Sequence, residues 1–139
     1  MRNLYLIIAS ILFLGCQQQS PEDMIPHLSG YWEIENVLSK HVKGKEFTFN
    51  NTIDYIELEG STGIRTKLQP TIDGKYIGNK TAESFEIKVE ADSLNMYYQT
   101  PFDSWKETVL KATDVKLIVR NQDGIEYHYK KFEPINLEN

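Results

Sequence analysis

The side chains best equipped for chemistry in this sequence are three histidines, two closely spaced carboxylate pairs and one cysteine. His27, His41 and His128 fall in three separate segments, without metal-ligand spacing and without cysteine partners, so no metal site is expected. His128 alternates with Tyr127 and Tyr129 and therefore points away from their face, a poor place for a pocket base. Glu33 and Glu35, like Glu57 and Glu59, form i, i+2 pairs on one strand face, a spacing that can divide acid and base roles. Where Trp32 and Ile34 go inward, however, Glu33 and Glu35 go into water, and a hydrated carboxylate has little reason for a raised pKa. No G-x-S-x-G, P-loop or G-x-G-x-x-G occurs, so neither an activated nucleophile nor a phosphate cradle is signalled. No catalytic residue and no cofactor is expected. The alternation places no carboxylate or histidine inside the domain, as a barrel hydrolase or isomerase would require.

Cys16 is the only cysteine in the chain, so an internal disulfide is excluded. It follows Arg2, an apolar run from Leu4 to Leu14, and Gly15. About eleven apolar residues are too few to span a bilayer and have the proportions of a secretory signal. Phe13-Leu14-Gly15-Cys16 resembles the lipobox of bacterial lipoproteins, in which the cysteine is lipidated and becomes the new N-terminus after cleavage. The lipobox favours Leu where this sequence has Phe13. The resemblance implies a signal peptide at residues 1–15, acyl chains such as palmitate on Cys16, and a membrane partner through that anchor. Residues 16–27 then read as the lipidated cysteine and a flexible tether, because the stretch after Cys16 is polar and carries Pro21. Gln17 replaces the aspartate that resembles an inner-membrane retention signal, which favours the outer membrane of the cell envelope. Glu22 and Asp23 resemble the surface-export tags of Bacteroidetes lipoproteins, so the periplasmic and surface faces both stay open.

Removing the signal leaves about 124 residues, enough for one domain with one core. The charge balance of 20 Asp and Glu against 15 Lys and Arg becomes 20 against 14, a net −6, once Arg2 is gone. This dispersed acidic excess argues against nucleic acid as a partner. The basic group Lys40, His41, Lys43 and Lys45 surrounds Gly44 between apolar segments and reads as a solvated hairpin loop. Nothing in the sequence sets the oligomeric state.

From Leu28 onward the hydrophobic period is two, which predicts an all-β domain over residues 28–133 with a C-terminal tail at 134–139. The first strand starts at Gly30. Further strands carry Phe47, Phe49, Ile53, Ile56 and Leu58, then Ile64 to Leu68, then Phe85 to Glu90, where alternation is cleanest. Leu94 to Gln99, Trp105 to Leu110, Val115 to Arg120 and Ile125 to Phe132 follow, with turns at Asp73-Gly74, Ala91-Asp92 and Asp123-Gly124. Eight or nine short strands joined by local turns favour a small antiparallel up-and-down barrel, since closure removes both sheet edges. A two-layer sandwich is the competing arrangement, because alternation alone does not separate one closed sheet from two facing ones.

Gly30-Tyr31-Trp32 resembles the G-x-W that opens the first strand of lipocalins, and Thr113-Asp114 is similar to the Thr-Asp turn between two late lipocalin strands. The layout of the whole mature chain resembles the lipocalin-like lipoproteins of Bacteroidetes. This resemblance implies structural roles for Gly30, Trp32, Thr113 and Asp114, and a binding site at the opposite, open end. Met96, Tyr98, Trp105, Tyr127 and Tyr129 are the candidate ligand-binding residues there, suited to a small hydrophobic or amphipathic ligand. The alternative is a filled barrel, an envelope interaction or inhibitor protein that works through its outer surface. An exposed patch such as Tyr31, Tyr97 and Phe102 would then carry the function.

Overall fold

The computed structural model describes residues 18–41, 44–46 and 50–134. The signal peptide expected at residues 1–15, the expected lipidation site Cys16, Phe47, Phe49 and most of the C-terminal tail lie outside the described residues. The chain enters through one helical turn, α1 (Pro21–Met24), and a 3-10 turn (Ile25–His27). The strands are β1 (Gly30–Leu38), β2 (Lys45–Glu46), β3 (Ile53–Glu59), β4 (Thr62–Pro70), β5 (Tyr76–Glu90), β6 (Ser93–Gln99), β7 (Ser104–Ala112), β8 (Lys116–Asn121) and β9 (Glu126–Lys131). From β3 to β9 each strand pairs with the next, β1 pairs with β3, and β1 also pairs antiparallel with β9 from Trp32↔Lys131 to Leu38↔Glu126. Eight strands therefore close into one antiparallel barrel, and β2 is an extra strand paired to the far end of β1. A closed sheet settles the choice against the sandwich.

The turns follow from backbone chemistry. Ala91 and Asp92 both hold positive φ, 45° and 63°, between the last residue of β5 and the first of β6, the mirror-image turn whose twist matches a hairpin. β5 is longer than its clean alternation at Phe85 to Glu90 suggests. Between Thr66↔Ala82 and Leu68↔Gly78 the β4–β5 register shifts, and beyond that bulge the hairpin carries Tyr76 onto the barrel's outer surface. There Tyr76 stacks on Tyr31 at 4.9 Å, and Tyr31 stacks on Tyr55 at 4.6 Å. The partners of Tyr76 are remote in sequence, which is why local alternation missed this half of the strand.

One end of the barrel is shut. Trp32 is 2 % exposed, its indole N–H donates to the Leu28 carbonyl at 3.0 Å, and Met24 and Leu28 are buried with it. Gly30 enters the strand at φ 141°, a conformation that side-chain-bearing residues rarely adopt. The flexible tether expected over residues 16–27 needs correction for its described part. Ser20 caps α1 by accepting from the Asp23 N–H, Pro21 occupies the first turn, and Pro21 and Met24 are buried. Ser-Pro-Glu-Asp is a helix-start signal, and the apolar Met24 and Leu28, one helical turn apart, give it a face to bury.

Candidate functional site inside the barrel

Period two points Asp54 and Ile56 of β3, Gly63 and Arg65 of β4, Phe85 and Ile87 of β5, and Met96 and Tyr98 of β6 into the barrel. Glu107 and Val109 of β7, Leu117 and Val119 of β8, and Tyr129 of β9 complete the lining through their cross-strand partners. Part of this interior is ionic. Arg65 donates from Nη2 to Asp54 Oδ2 at 2.9 Å and to the Tyr129 hydroxyl at 2.9 Å. From Nη1 it donates to Glu107 Oε2 at 3.2 Å and to the Tyr98 hydroxyl at 3.3 Å. Lys67 Nζ reaches in from the rim to Asp54 Oδ1 at 2.6 Å. Asp54 and Glu107 are 3 % and 8 % exposed, which corrects the expectation that no carboxylate lies inside.

The two carboxylates are driven apart electrostatically. Burial works to raise the pKa of Asp54, but Arg65 and then Lys67 outweigh it, and the net shift is downward. Burial also raises Glu107, with Arg65 opposing and the negative charges of Glu83 and Asp54 adding, and the net shift is upward. Burial pushes the phenols of Tyr98 and Tyr129 upward, so both stay neutral. Burial alone would lower Arg65, but its ring of oxygen partners holds it charged.

Of the five candidate ligand-binding residues, Met96, Tyr98 and Tyr129 are buried, while Trp105 and Tyr127 are half-buried. The structure brings four of them to the cluster or against it. Tyr98 and Tyr129 bond Arg65, the Met96 sulfur lies 3.9 Å from the Tyr98 hydroxyl, and Trp105 stacks on Tyr98 with ring centroids 5.1 Å apart. Tyr127 pairs with Val37 and Val119 one step nearer the mouth. The void left among Trp32, Asp54, Arg65, Met96, Tyr98, Glu107 and Tyr129 is about 10 Å³, the space of one water. A second, open depression of about 930 Å³ lies against the outer face of β3 to β7, lined by Glu57, Ile64, Glu86, Tyr97 and Lys106 and reaching Trp105.

The motif residues gather at the shut end. Thr113 Oγ1 accepts from the Lys116 N–H at 3.1 Å, and Asp114 meets His27 Nδ1 at 2.8 Å, joining the β7–β8 turn to the plug. His128 faces outward and contacts Glu126 at 3.1 Å. Among the described residues no group of His, Cys, Asp or Glu is arranged to hold a metal ion, and no helix is long and apolar enough to cross a membrane.

Asp54, Arg65 and Glu107 were not singled out from sequence, although two were accessible. Asp54 shares the parity of Ile56 and Leu58, and Glu107 that of Trp105 and Val109. Arg65 was hidden because its neighbours Ile64 and Leu68 look like the inward set, whereas Ile64 is 46 % exposed.

One antiparallel sheet of eight strands, closed by its first and last members and plugged at one end by a tryptophan, defines a small up-and-down barrel of the lipocalin kind. A family model described as a lipocalin-like domain matches residues 28–133, and the chain belongs to that family. Such domains are typically binding proteins. Among solved structures, a lipocalin-like protein from Bacteroides uniformis is similar at 10% identity with a TM-score of 0.48, over 76% of this chain and 99% of that one. No curated protein matches the chain in sequence.

Proposed function

We propose that this chain is a lipid-anchored lipocalin-like protein of the bacterial cell envelope that binds a small hydrophobic or amphipathic ligand without transforming it. The carrying observation is a contrast of volumes. The space inside the barrel beside Tyr98 and Tyr129 is about 10 Å³, while the depression outside, beside Trp105, is about 930 Å³ and within the range of small-molecule sites. The ligand's place is therefore the outer face of β3 to β7, with Ile64 and Tyr97 as apolar surface. Glu57, Glu86 and Lys106 supply polar contacts around it. Met96, Tyr98 and Tyr129 act from beneath as the rigid support of that wall. Lipid anchoring at Cys16 is supported by the lipobox resemblance and by the apolar run before it.

A second reading, an envelope interaction or inhibitor protein with a filled barrel, is favoured by the interior ion cluster itself. Native mass spectrometry of the mature protein purified from membranes, before and after organic extraction, separates the two. A bound mass that extraction removes, and that Tyr97→Ala prevents, supports the ligand site. A clean apo mass that fatty acids and other lipids do not shift overturns it in favour of a protein partner.

A further inference from the structure

Resting on the lipid anchor at Cys16, we propose that the shut end of the barrel, around the exposed Val115 of the β7–β8 turn, is the face apposed to the lipid surface, so that the mouth opens toward the aqueous compartment.

The argument starts from how the N-terminal segment is fixed. The Gln19 side-chain amide donates from Nε2 to the Ala112 carbonyl at 2.6 Å, and its Oε1 accepts from the Ala112 N–H at 3.1 Å. This two-way bond imitates a strand partner for the last residue of β7. One residue on, Ser20 caps α1, and Pro21, Met24 and Leu28 are buried in the plug. Gln19 is thus part of the folded domain. Three residue steps separate it from Cys16, and fully extended chain covers at most about 10–11 Å in three steps. A tether that short fixes which end of the barrel faces the bilayer.

Ala112 belongs to the shut end, and the β7–β8 turn follows it directly. Val115 is 66 % exposed at the tip of that turn, and its carbonyl accepts from the Lys131 N–H at 2.9 Å. Lys111, Lys116, Lys130 and Lys131 surround it on the ends of β7, β8 and β9. Lys116 and Lys130 pair with Glu35 at 3.6 Å and Glu33 at 3.9 Å, which leaves Lys111 and Lys131 to suit the phosphate level of a bilayer surface, while Glu22, Asp23 and Asp114 on the same end keep charge from being the driving force. The short chain sets the orientation, and the lysines fit it. Phe102, 98 % exposed in the β6–β7 loop, stands at the other end of the barrel. Strands of this length rise about 3.3 Å per residue, so a tilted barrel holds Phe102 roughly 20 Å farther from the bilayer than Val115.

Because lipidation consumes the thiol of the chain's one cysteine, an added cysteine is a unique labelling site. The test uses the full lipidated chain in phosphatidylethanolamine and phosphatidylglycerol vesicles that contain a headgroup nitroxide lipid. A fluorophore is placed by Val115→Cys in one sample and by Phe102→Cys in another, with Lys111→Cys and Asp123→Cys as a second pair. Several-fold stronger quenching at Val115 and Lys111 than at Phe102 and Asp123 is expected. Equal quenching, or stronger quenching at the mouth, with the intact mass showing the acyl chains, overturns the orientation and leaves the anchor standing. An intact mass without acyl chains, with no vesicle association, overturns the anchor and the orientation together.

Discussion

Arg65 and Asp54, eleven residues apart on neighbouring strands, meet inside the barrel at 2.9 Å, and Lys67 holds the other Asp54 oxygen at 2.6 Å. The same guanidinium also reaches Glu107 and the hydroxyls of Tyr98 and Tyr129, so one side chain from β4 ties β3, β6, β7 and β9 together. Removing one partner of a buried ion pair leaves an uncompensated charge and costs about 3–5 kcal/mol. Arg65→Leu strands Glu107 and leaves Asp54 to Lys67 alone, and urea denaturation should show a loss within that range. Adding Asp54→Asn and Glu107→Gln to Arg65→Leu should recover most of it, since a neutral, hydrogen-bonded interior no longer holds unpaired charge.

The opposite pKa shifts of the two carboxylates give opposite pH dependences. Asp54 is lowered, so between its folded pKa and the ordinary carboxylate value the unfolded chain binds more protons. Its stabilisation is present above the unfolded pKa and is lost as pH falls through the folded one. Glu107 is raised, so the folded chain binds more protons between the unfolded value and its folded pKa. Its contribution is present below the unfolded value and declines as pH rises through the folded one. Glu107→Gln should therefore leave stability at pH 7 within about 1 kcal/mol of the parent and flatten the decline above the ordinary glutamate range. Asp54→Asn should lose about 3 kcal/mol at pH 7 and abolish part of the acid sensitivity. Denaturant midpoints from pH 3 to 8 check both, and equal losses for the two variants would refute the asymmetry.

The barrel was legible because its evidence is local. Phe85-Glu86-Ile87-Lys88-Val89-Glu90 alternates without exception, and Ala91-Asp92 and Asp123-Gly124 mark their turns in two residues each. The ionic interior was legible only in part. Parity with Ile56 and Val109 assigns Asp54 and Glu107 inward, but their neutralising partner lies on another strand, where Ile64 and Leu68 mimic the core set. The helical plug was masked by its polar composition, since Ser20, Pro21, Glu22 and Asp23 look like a linker until Met24 and Leu28 are seen to be buried. The outer depression had no local signal, because its lining comes from five strands brought together by register.

Gly63 of β4 lies opposite Phe85 of β5, whose ring covers it. A Cβ there would overlap Phe85 Cζ and lie 2.7 Å from the Glu57 carbonyl oxygen, so both the ring and the backbone resist it. Gly63→Ala should cost about 1–3 kcal/mol by overpacking. Thermal unfolding of Gly63→Ala beside Gly63→Ala with Phe85→Leu separates the two contacts. Recovery in the double variant assigns the strain to the ring, and its absence assigns the strain to the strand backbone.

Trp32 joins the plug to the ionic interior, with its N–H on Leu28 and its ring against the same void that Arg65, Glu107 and Tyr129 line. Trp32→Ala should cost about 3–5 kcal/mol, as large buried truncations do. Trp32→Phe keeps most of the apolar area but leaves the Leu28 carbonyl without its donor, so a loss of roughly 1–3 kcal/mol is expected. The two variants differ in a second respect. The cavity opened by Trp32→Ala adjoins charged groups, and a polar cavity of that size fills with water. Added water solvates the Glu107 carboxylate, so the rise in its pKa should shrink in Trp32→Ala and persist in Trp32→Phe. Carbon-13 NMR titration of the glutamate carboxyls reads this directly, and an unchanged Glu107 titration in Trp32→Ala would separate the plug from the ion cluster.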